Sequence, residues 1–126
     1  MLQRRSYGSV EVTSIDEAAL RAAIAAGVEA CAAAHPEVER IVLFGSFARG
    51  DWAPDSDVDL LVIVSGTEVP APERAGELRP FFAAIPLDVN PLVVTRAALE
   101  RTGGDPASVV HSAIAEGRTL FDRRAA

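Results

Sequence analysis

With 126 residues, 49% of them hydrophobic, the chain can fill one core of ordinary domain size, and no apolar run approaches the ~20 residues needed to cross a bilayer. Its formal charge of −6 argues against a long nucleic-acid duplex as a directly bound partner, since affinity for one is built from Lys and Arg on phosphates. Every basic residue is arginine, and the absence of lysine excludes Schiff-base catalysis and a P-loop lysine.

Residues 1–13 show weak periodicity and are expected to form an arm or edge segment ahead of a single domain over 14–126. The basic start, Met1 to Ser6, is not followed by an apolar stretch, so no secretory leader is expected. The lone Cys31 cannot form an internal bridge and reads as a small core filler among alanines. No membrane association is expected, and a cytoplasmic protein fits these features.

Ser14 and Glu17 have capping-box spacing, which predicts a helix start. Ile15, Leu20, Ile24 and Val28 continue it at helical spacing, and His35-Pro36 should end it. Ile41 to Phe44 is a short apolar strand, broken by Gly45-Ser46, after which Phe47-Ala48-Arg49 form a helical turn. Asp51 to Ser56 reads as a loop and Asp57 to Val64 as a second strand rich in Val, Leu and Ile. Glu73 to Ala84 has helical character, with Leu78, Phe81 and Phe82 inward. Pro86 to Val94 is a third strand, in which Pro91 implies a bulge or an edge position. Thr95 caps a short helix, Gly103 to Pro106 restarts the chain, a helix spans about 107–116, and Arg118 to Phe121 adds a final strand. The expected architecture is α/β (α+β), a small mixed sheet covered by helices.

Candidate chemistry collects around the second strand. Side chains alternate along a strand, so Asp57 and Asp59 face one way while Val58 enters the core, with Cα atoms ~7 Å apart. Two carboxylates so placed can bind one or two divalent ions; without a cation they repel each other. Asp88, in the apolar run Leu87-Asp88-Val89, is a plausible third ligand. Such an all-oxygen set suits Mg²⁺ or Mn²⁺ better than Zn²⁺. His35 and His111 lie outside these strands and read as surface or helix-end histidines. At Gly45-Ser46 a glycine lets backbone approach an anion, and the amides of the following turn, with the Ser46 hydroxyl, can hold phosphate oxygens. A nucleoside triphosphate with Mg²⁺ meets both requirements.

Gly45-Ser46-Phe47-Ala48-Arg49-Gly50 followed by Ser56-Asp57-Val58-Asp59-Leu60 resembles the signature of the nucleotidyltransferase superfamily related to DNA polymerase beta. The short length, and the ending Ile114 to Phe121, are most similar to the minimal nucleotidyltransferases (MNT), including the MntA-type antitoxin of HEPN/MNT toxin–antitoxin pairs. The resemblance is densest from Ile41 to Val64. It implies the polymerase-beta-like fold and transfer of a nucleoside monophosphate, AMP from ATP, to a hydroxyl. It further implies that Asp57 and Asp59 hold two Mg²⁺ ions, and that Asp88 holds one of them and positions or helps deprotonate the attacking hydroxyl. Gly45, Ser46, Arg49 and Ser56 become nucleotide-binding candidates. Asp88 departs from the family pattern, because Val89-Asn90-Pro91 follows it in place of a longer β-branched run.

Several readings stay open at this point. Arg49 either assists the phosphates or pairs with Asp51 or Asp55, which themselves read as turn-capping acids. Trp52 touches a partner or base, or packs over its loop. For the whole chain, modification of a HEPN-type helical toxin, on a tyrosine hydroxyl, is favoured because little chain remains for a separate small-substrate domain. The alternatives are an antibiotic-modifying type of nucleotidyltransferase and a non-catalytic partner-binding module of the same fold.

Overall fold

The computed structural model describes residues 2–7, 10–50, 56–66, 72–102 and 108–124, with side chains from Asp16 onward except those of Pro72 and Thr102. Strands β1 (Leu2–Tyr7) and β2 (Val10–Ile15) pair antiparallel as a hairpin with a sheet of its own. Helix α1 (Glu17–Ala34) follows, then β3 (Val38–Phe44), the single turn α2 (Ser46–Arg49) and β4 (Val58–Val64). Helix α3 (Pro72–Leu78) runs into a 3₁₀ turn, Arg79–Phe82, before β5 (Val89–Thr95). Helices α4 (Arg96–Thr102) and α5 (Val109–Glu116) precede β6 (Arg118–Asp122).

The main sheet has the order β5-β4-β3-β6, with β4 and β5 parallel and the other neighbours antiparallel. This is the small mixed sheet expected from the sequence. Alternation divides β4 between two faces. Val58, Leu60, Val62 and Val64 join Leu20, Ile24 and Val28 of α1 and Phe82 of the 3₁₀ turn in one core. Leu61 and Ile63 face the other way, with Val42, and pack on Val110 and Ala113 of α5 and on Leu99 of α4. A strand buried on both sides reads as a nearly continuous apolar run, as Leu60 to Val64 does. Pro91 lies within β5, an edge strand, where a missing N–H toward solvent costs no ladder bond.

Three expectations change in detail. Ser14 does not cap α1: it is held in β2 opposite Gln3, and Asp16 caps instead, Oδ1 accepting from the Ala19 amide at 3.2 Å. The ladder keeps Ser14 extended, so the helix can begin only after Ile15. The segment expected to be helical over Glu73 to Ala84 tightens at Arg79, since Pro80 has no N–H to continue an α-helical ladder. The third strand starts at Val89, leaving Pro86 to Asp88 ahead of it.

Helix α1 ends at His35, whose N–H donates to the Cys31 carbonyl. No basic residue lies in its last turn, but Arg123 comes from beyond β6 to serve it, donating to the carbonyls of Ala32 and Val38, each at 2.9 Å. The guanidinium rests 5.0 Å from the Phe121 ring centre and ties the C-terminal strand to the helix end.

Candidate active site

The site lies where β3 ends and β4 and β5 begin. Leu43 and Phe44 pair with Leu60 and Asp59, and the chain then turns at Gly45 into α2. Gly45 has φ +76°, in the region that favours glycine. A Cβ there would stand 2.4 Å from Asp59 Oδ2, so the missing side chain is what lets the carboxylate lie against the turn. The Arg49 amide donates to the Gly45 carbonyl at 3.1 Å and the Gly50 amide to that of Ser46 at 2.9 Å, closing α2 on itself. Phe47, fully buried, anchors this turn in the first core, and the Arg21 guanidinium sits 5.7 Å from its ring centre. Ser46 is half-buried at the start of the turn, and Ser56 is half-buried just before Asp57.

Asp57 and Asp59 flank the buried Val58, so the alternation puts both carboxylates on the α4/α5 face. Asp57 is exposed and Asp59 half-buried. Burial raises the Asp59 pKa above the ordinary aspartate value; a hydrogen bond from Asn90 opposes this, the Asp57 charge adds to it, and the Arg49 charge opposes it. Arg49 also reaches Glu116 at the end of α5, Nη1 to Oε2 at 4.0 Å.

Asn90 belongs to the neighbouring strand, and Asp88 immediately precedes it. The Val58 amide donates to the Asp88 carbonyl at 2.7 Å, and the parallel register sets Asn90 beside Asp59. Asn90 thereby falls on the same face as Asp59, and both Asp88 and Asn90 are exposed. The Asp88 carboxylate is not drawn into the pair: among the described residues no group of three His, Cys, Asp or Glu side chains converges as a metal site. Asn90 is drawn in, donating from Nδ2 to Asp57 Oδ2 at 3.0 Å. The sequence reading passed over Asn90, although the signal was there: Asp88-Val89-Asn90 repeats the polar-apolar-polar pattern of Asp57-Val58-Asp59.

The remaining candidates are dispersed. Asp51, Trp52 and Asp55 lie outside the described residues, as does the restart over Gly103 to Pro106. His35 sits at the end of α1, Nδ1 2.8 Å from Glu37 Oε1 and edge-on to Phe81, and His111 is half-buried on α5. Cys31 is buried in the first core, its pKa pushed up to about 11 by burial and by the Glu37 charge. Among the described residues no helix is long and apolar enough to cross a membrane.

Comparison with known proteins follows the same outline. A candidate protein adenylyltransferase of Methanocaldococcus jannaschii is 54% identical over 28 residues, 22% of this chain and 28% of that protein, so the match spans less than a third of the relative's length. The crystal structure of a candidate nucleotidyltransferase from Sulfolobus solfataricus superposes with a TM-score of 0.62 at 22% identity, covering 86% of this chain and 85% of the other. The complex of a tri-AMPylated Shewanella oneidensis HEPN toxin with its MNT antitoxin matches with a TM-score of 0.50 at 19% identity, over 87% of this chain and 76% of that one. At such identities the likeness is one of fold. The family model for the nucleotidyltransferase domain matches residues 26–116, which include β3, α2, β4, β5, Asp57 and Asp59. The chain belongs to the nucleotidyltransferase domain family.

Proposed function

We propose that this protein transfers AMP from ATP to a hydroxyl of a partner protein, in the cytoplasm, and that the partner is a HEPN-type helical toxin for which it serves as antitoxin. One observation carries the catalytic part: Asp57 and Asp59 share a face of one rigid strand, and Asp59 lies against a turn open to it only because residue 45 is glycine. The protein-adenylyltransferase name of the M. jannaschii relative and the AMPylated toxin beside the Shewanella antitoxin support AMP as the transferred group and a HEPN protein as the acceptor. Residues 14–126 would act as the catalytic unit, with 1–13 as an arm.

The donor chemistry fits Mg²⁺. Asp57 and Asp59 offer hard carboxylate oxygens, and the raised Asp59 pKa reflects burial and like charge that a cation would relieve. These two residues would hold the two ions, with Asp88 completing the set from just ahead of the adjoining strand. When bound, Mg²⁺ neutralises triphosphate charge. The chain's own groups do the rest. Gly45 admits the phosphates to the backbone, and Ser46 and the amides opening α2 bind them. Ser56 precedes the first aspartate and borders the nucleotide. Arg49, already close enough to act on Asp59, stabilises the departing pyrophosphate. The acceptor oxygen attacks the α-phosphorus in line, the bond to the β-phosphate breaks, and Asp88 accepts the hydroxyl proton.

Incubation with α-labelled ATP, Mg²⁺ and the helical protein encoded by the adjacent gene tests this reading. Label is expected on a partner tyrosine and is expected to vanish with Asp57→Ala or Asp59→Ala. Label on an aminoglycoside instead would move the acceptor to small molecules. Tight partner binding with no transfer under any divalent cation would overturn catalysis.

A further inference from the structure

Arg49 lies within the influence of two acids, Asp59 of the catalytic pair and Glu116, the last residue of α5, to which no role has been given. Residues 47 and 49 stand about 200° apart around the single turn α2, so the turn faces two ways. Phe47 enters the core shared with α1, and Arg49 reaches α5 on the opposite side. That is the side on which Asp57 and Asp59 also lie. Gly117 explains why an acid from α5 arrives there. A Cβ on it would stand 2.5 Å from Val42 Cγ1 and 2.9 Å from the Leu43 carbonyl oxygen. Lacking one, the end of α5 lies directly on β3, and β6 begins at once by pairing Arg118 with Leu43, two residues ahead of the Gly45 turn. Glu116 is therefore set beside α2 by backbone packing on both sides of it.

The two acids are not equivalent partners. Arg49 Nη1 is 4.0 Å from Glu116 Oε2. Among the described residues it makes no ion pair with Asp59, although its charge reaches that carboxylate. An exposed pair of this length adds little to the stability of a fold. Its task here is smaller, which is to choose between two anchorages for one flexible side chain. A guanidinium drawn fully onto Asp59 would take up the carboxylate oxygens that a divalent cation needs.

We propose that Glu116 is a positioning residue, which holds Arg49 off Asp59 and so keeps the aspartate pair open to a divalent cation. Glu116 itself touches neither metal, phosphate nor acceptor, and its role rests on the reading of Asp57 and Asp59 as cation ligands given above. A triphosphate carries more charge than one exposed carboxylate, so its arrival draws the guanidinium from Glu116 onto phosphate oxygens. The tether is thus strong enough to keep Arg49 from the wrong acid and weak enough to release it.

Titration of the full chain with Mn²⁺, followed by water-proton relaxation, tests this without nucleotide, partner or turnover. Both side chains are at least half exposed, so Glu116→Gln and Arg49→Met should melt within about a degree of wild type. Glu116→Gln should bind Mn²⁺ about tenfold more weakly. Arg49→Met should tighten Mn²⁺ about twofold in the wild-type background and about tenfold or more in Glu116→Gln. That inequality is what a tether produces. Charge acting at a distance makes the Arg49 substitution equally effective in both backgrounds, and a disturbed fold gives it no effect in Glu116→Gln; either result would overturn the proposal, as would wild-type affinity in Glu116→Gln. In transfer assays Glu116→Gln should need about tenfold more Mg²⁺ for half-maximal rate and regain the wild-type rate once it is supplied, whereas Arg49→Met should stay slow at any Mg²⁺. The expected Mn²⁺ pattern without transfer to the helical protein would uphold the tether and remove the acceptor. Wild type that binds no Mn²⁺ up to about 10 mM would remove both the cation site and the tether.

Discussion

A Cβ built on Gly45 falls 2.4 Å from Asp59 Oδ2, well inside the contact distance of carbon and oxygen. The same residue has φ +76°, so an alanine there would be strained in its backbone as well as crowded by the carboxylate. The crowding can be relieved only by turning the Asp59 carboxylate away, and the strain only by moving the turn, where phosphate is proposed to sit. Gly45→Ala is expected to destabilise the fold by about 1–3 kcal/mol in urea melts and to lower the rate of AMP transfer by about a hundredfold or more. Unaltered transfer by a folded Gly45→Ala protein would separate the turn from the chemistry.

Asp59 carries a penalty that depends on pH. Its folded-state pKa is raised, chiefly by burial, above the value of 3.8 for an ordinary aspartate. The native state thus holds the proton more tightly than the unfolded state does. Stability falls as pH climbs from that ordinary value through the raised one, and the penalty is fully present at neutrality. Metal-free Asp59→Asn should melt on the order of a degree or two higher than wild type near pH 7 and lose that advantage near pH 3. Transfer by the same variant should drop by about a thousandfold. Added Mg²⁺ should raise the melting temperature of wild type more than that of the variant.

The sequence made the sheet legible because its two central strands are largely buried on both faces. Runs such as Ile41 to Phe44 and Leu60 to Val64 can hardly be anything else, and the polar-apolar-polar step at Asp57 to Asp59 carries its own geometry. The β1–β2 hairpin was not legible. Its pairing is a long-range choice between two segments of weak pattern, and that choice displaced the helix cap from Ser14 to Asp16. The Asn90 contact was hidden for a related reason. Alternation gives the face of a residue within its own strand, but only the β4–β5 register sets Asn90 beside Asp59, and register depends on which strands become neighbours.

Asn90 should act on the reaction by orienting Asp57. Its Nδ2 donates to Asp57 Oδ2 at 3.0 Å from an exposed position, so little packing is lost on truncation. Asn90→Ala is expected to keep the wild-type melting temperature within about a degree and to slow transfer about tenfold, through a Asp57 carboxylate that is no longer held. Asn90→Asp sets a third negative charge beside the pair and removes the donor. It should weaken transfer further at low Mg²⁺ and recover part of the loss as Mg²⁺ is raised, whereas the alanine variant should respond less to the cation. Equal Mg²⁺ dependence in both variants would argue that Asn90 only supports the strand.

Cys31 provides a reading of the core that is independent of the site. Its thiol is fully buried among Leu20, Ile24 and Val28, and its pKa stands at about 11, through burial first and the Glu37 charge second. An exposed thiol titrates at 9.0, so the unfolded chain loses this proton before the native chain does. Stability should therefore decline as pH rises from about 9 toward about 11, and Cys31→Ala should flatten that part of the profile while costing about 1 kcal/mol at neutrality for the lost sulfur contacts. Because the thiolate is the nucleophile, alkylation of native protein near pH 8 should be slower than that of urea-unfolded protein by about a hundredfold or more. Comparable rates in the two states would mean that the helix α1 core opens readily, and the rigid placement of β4 on it would then lose its foundation.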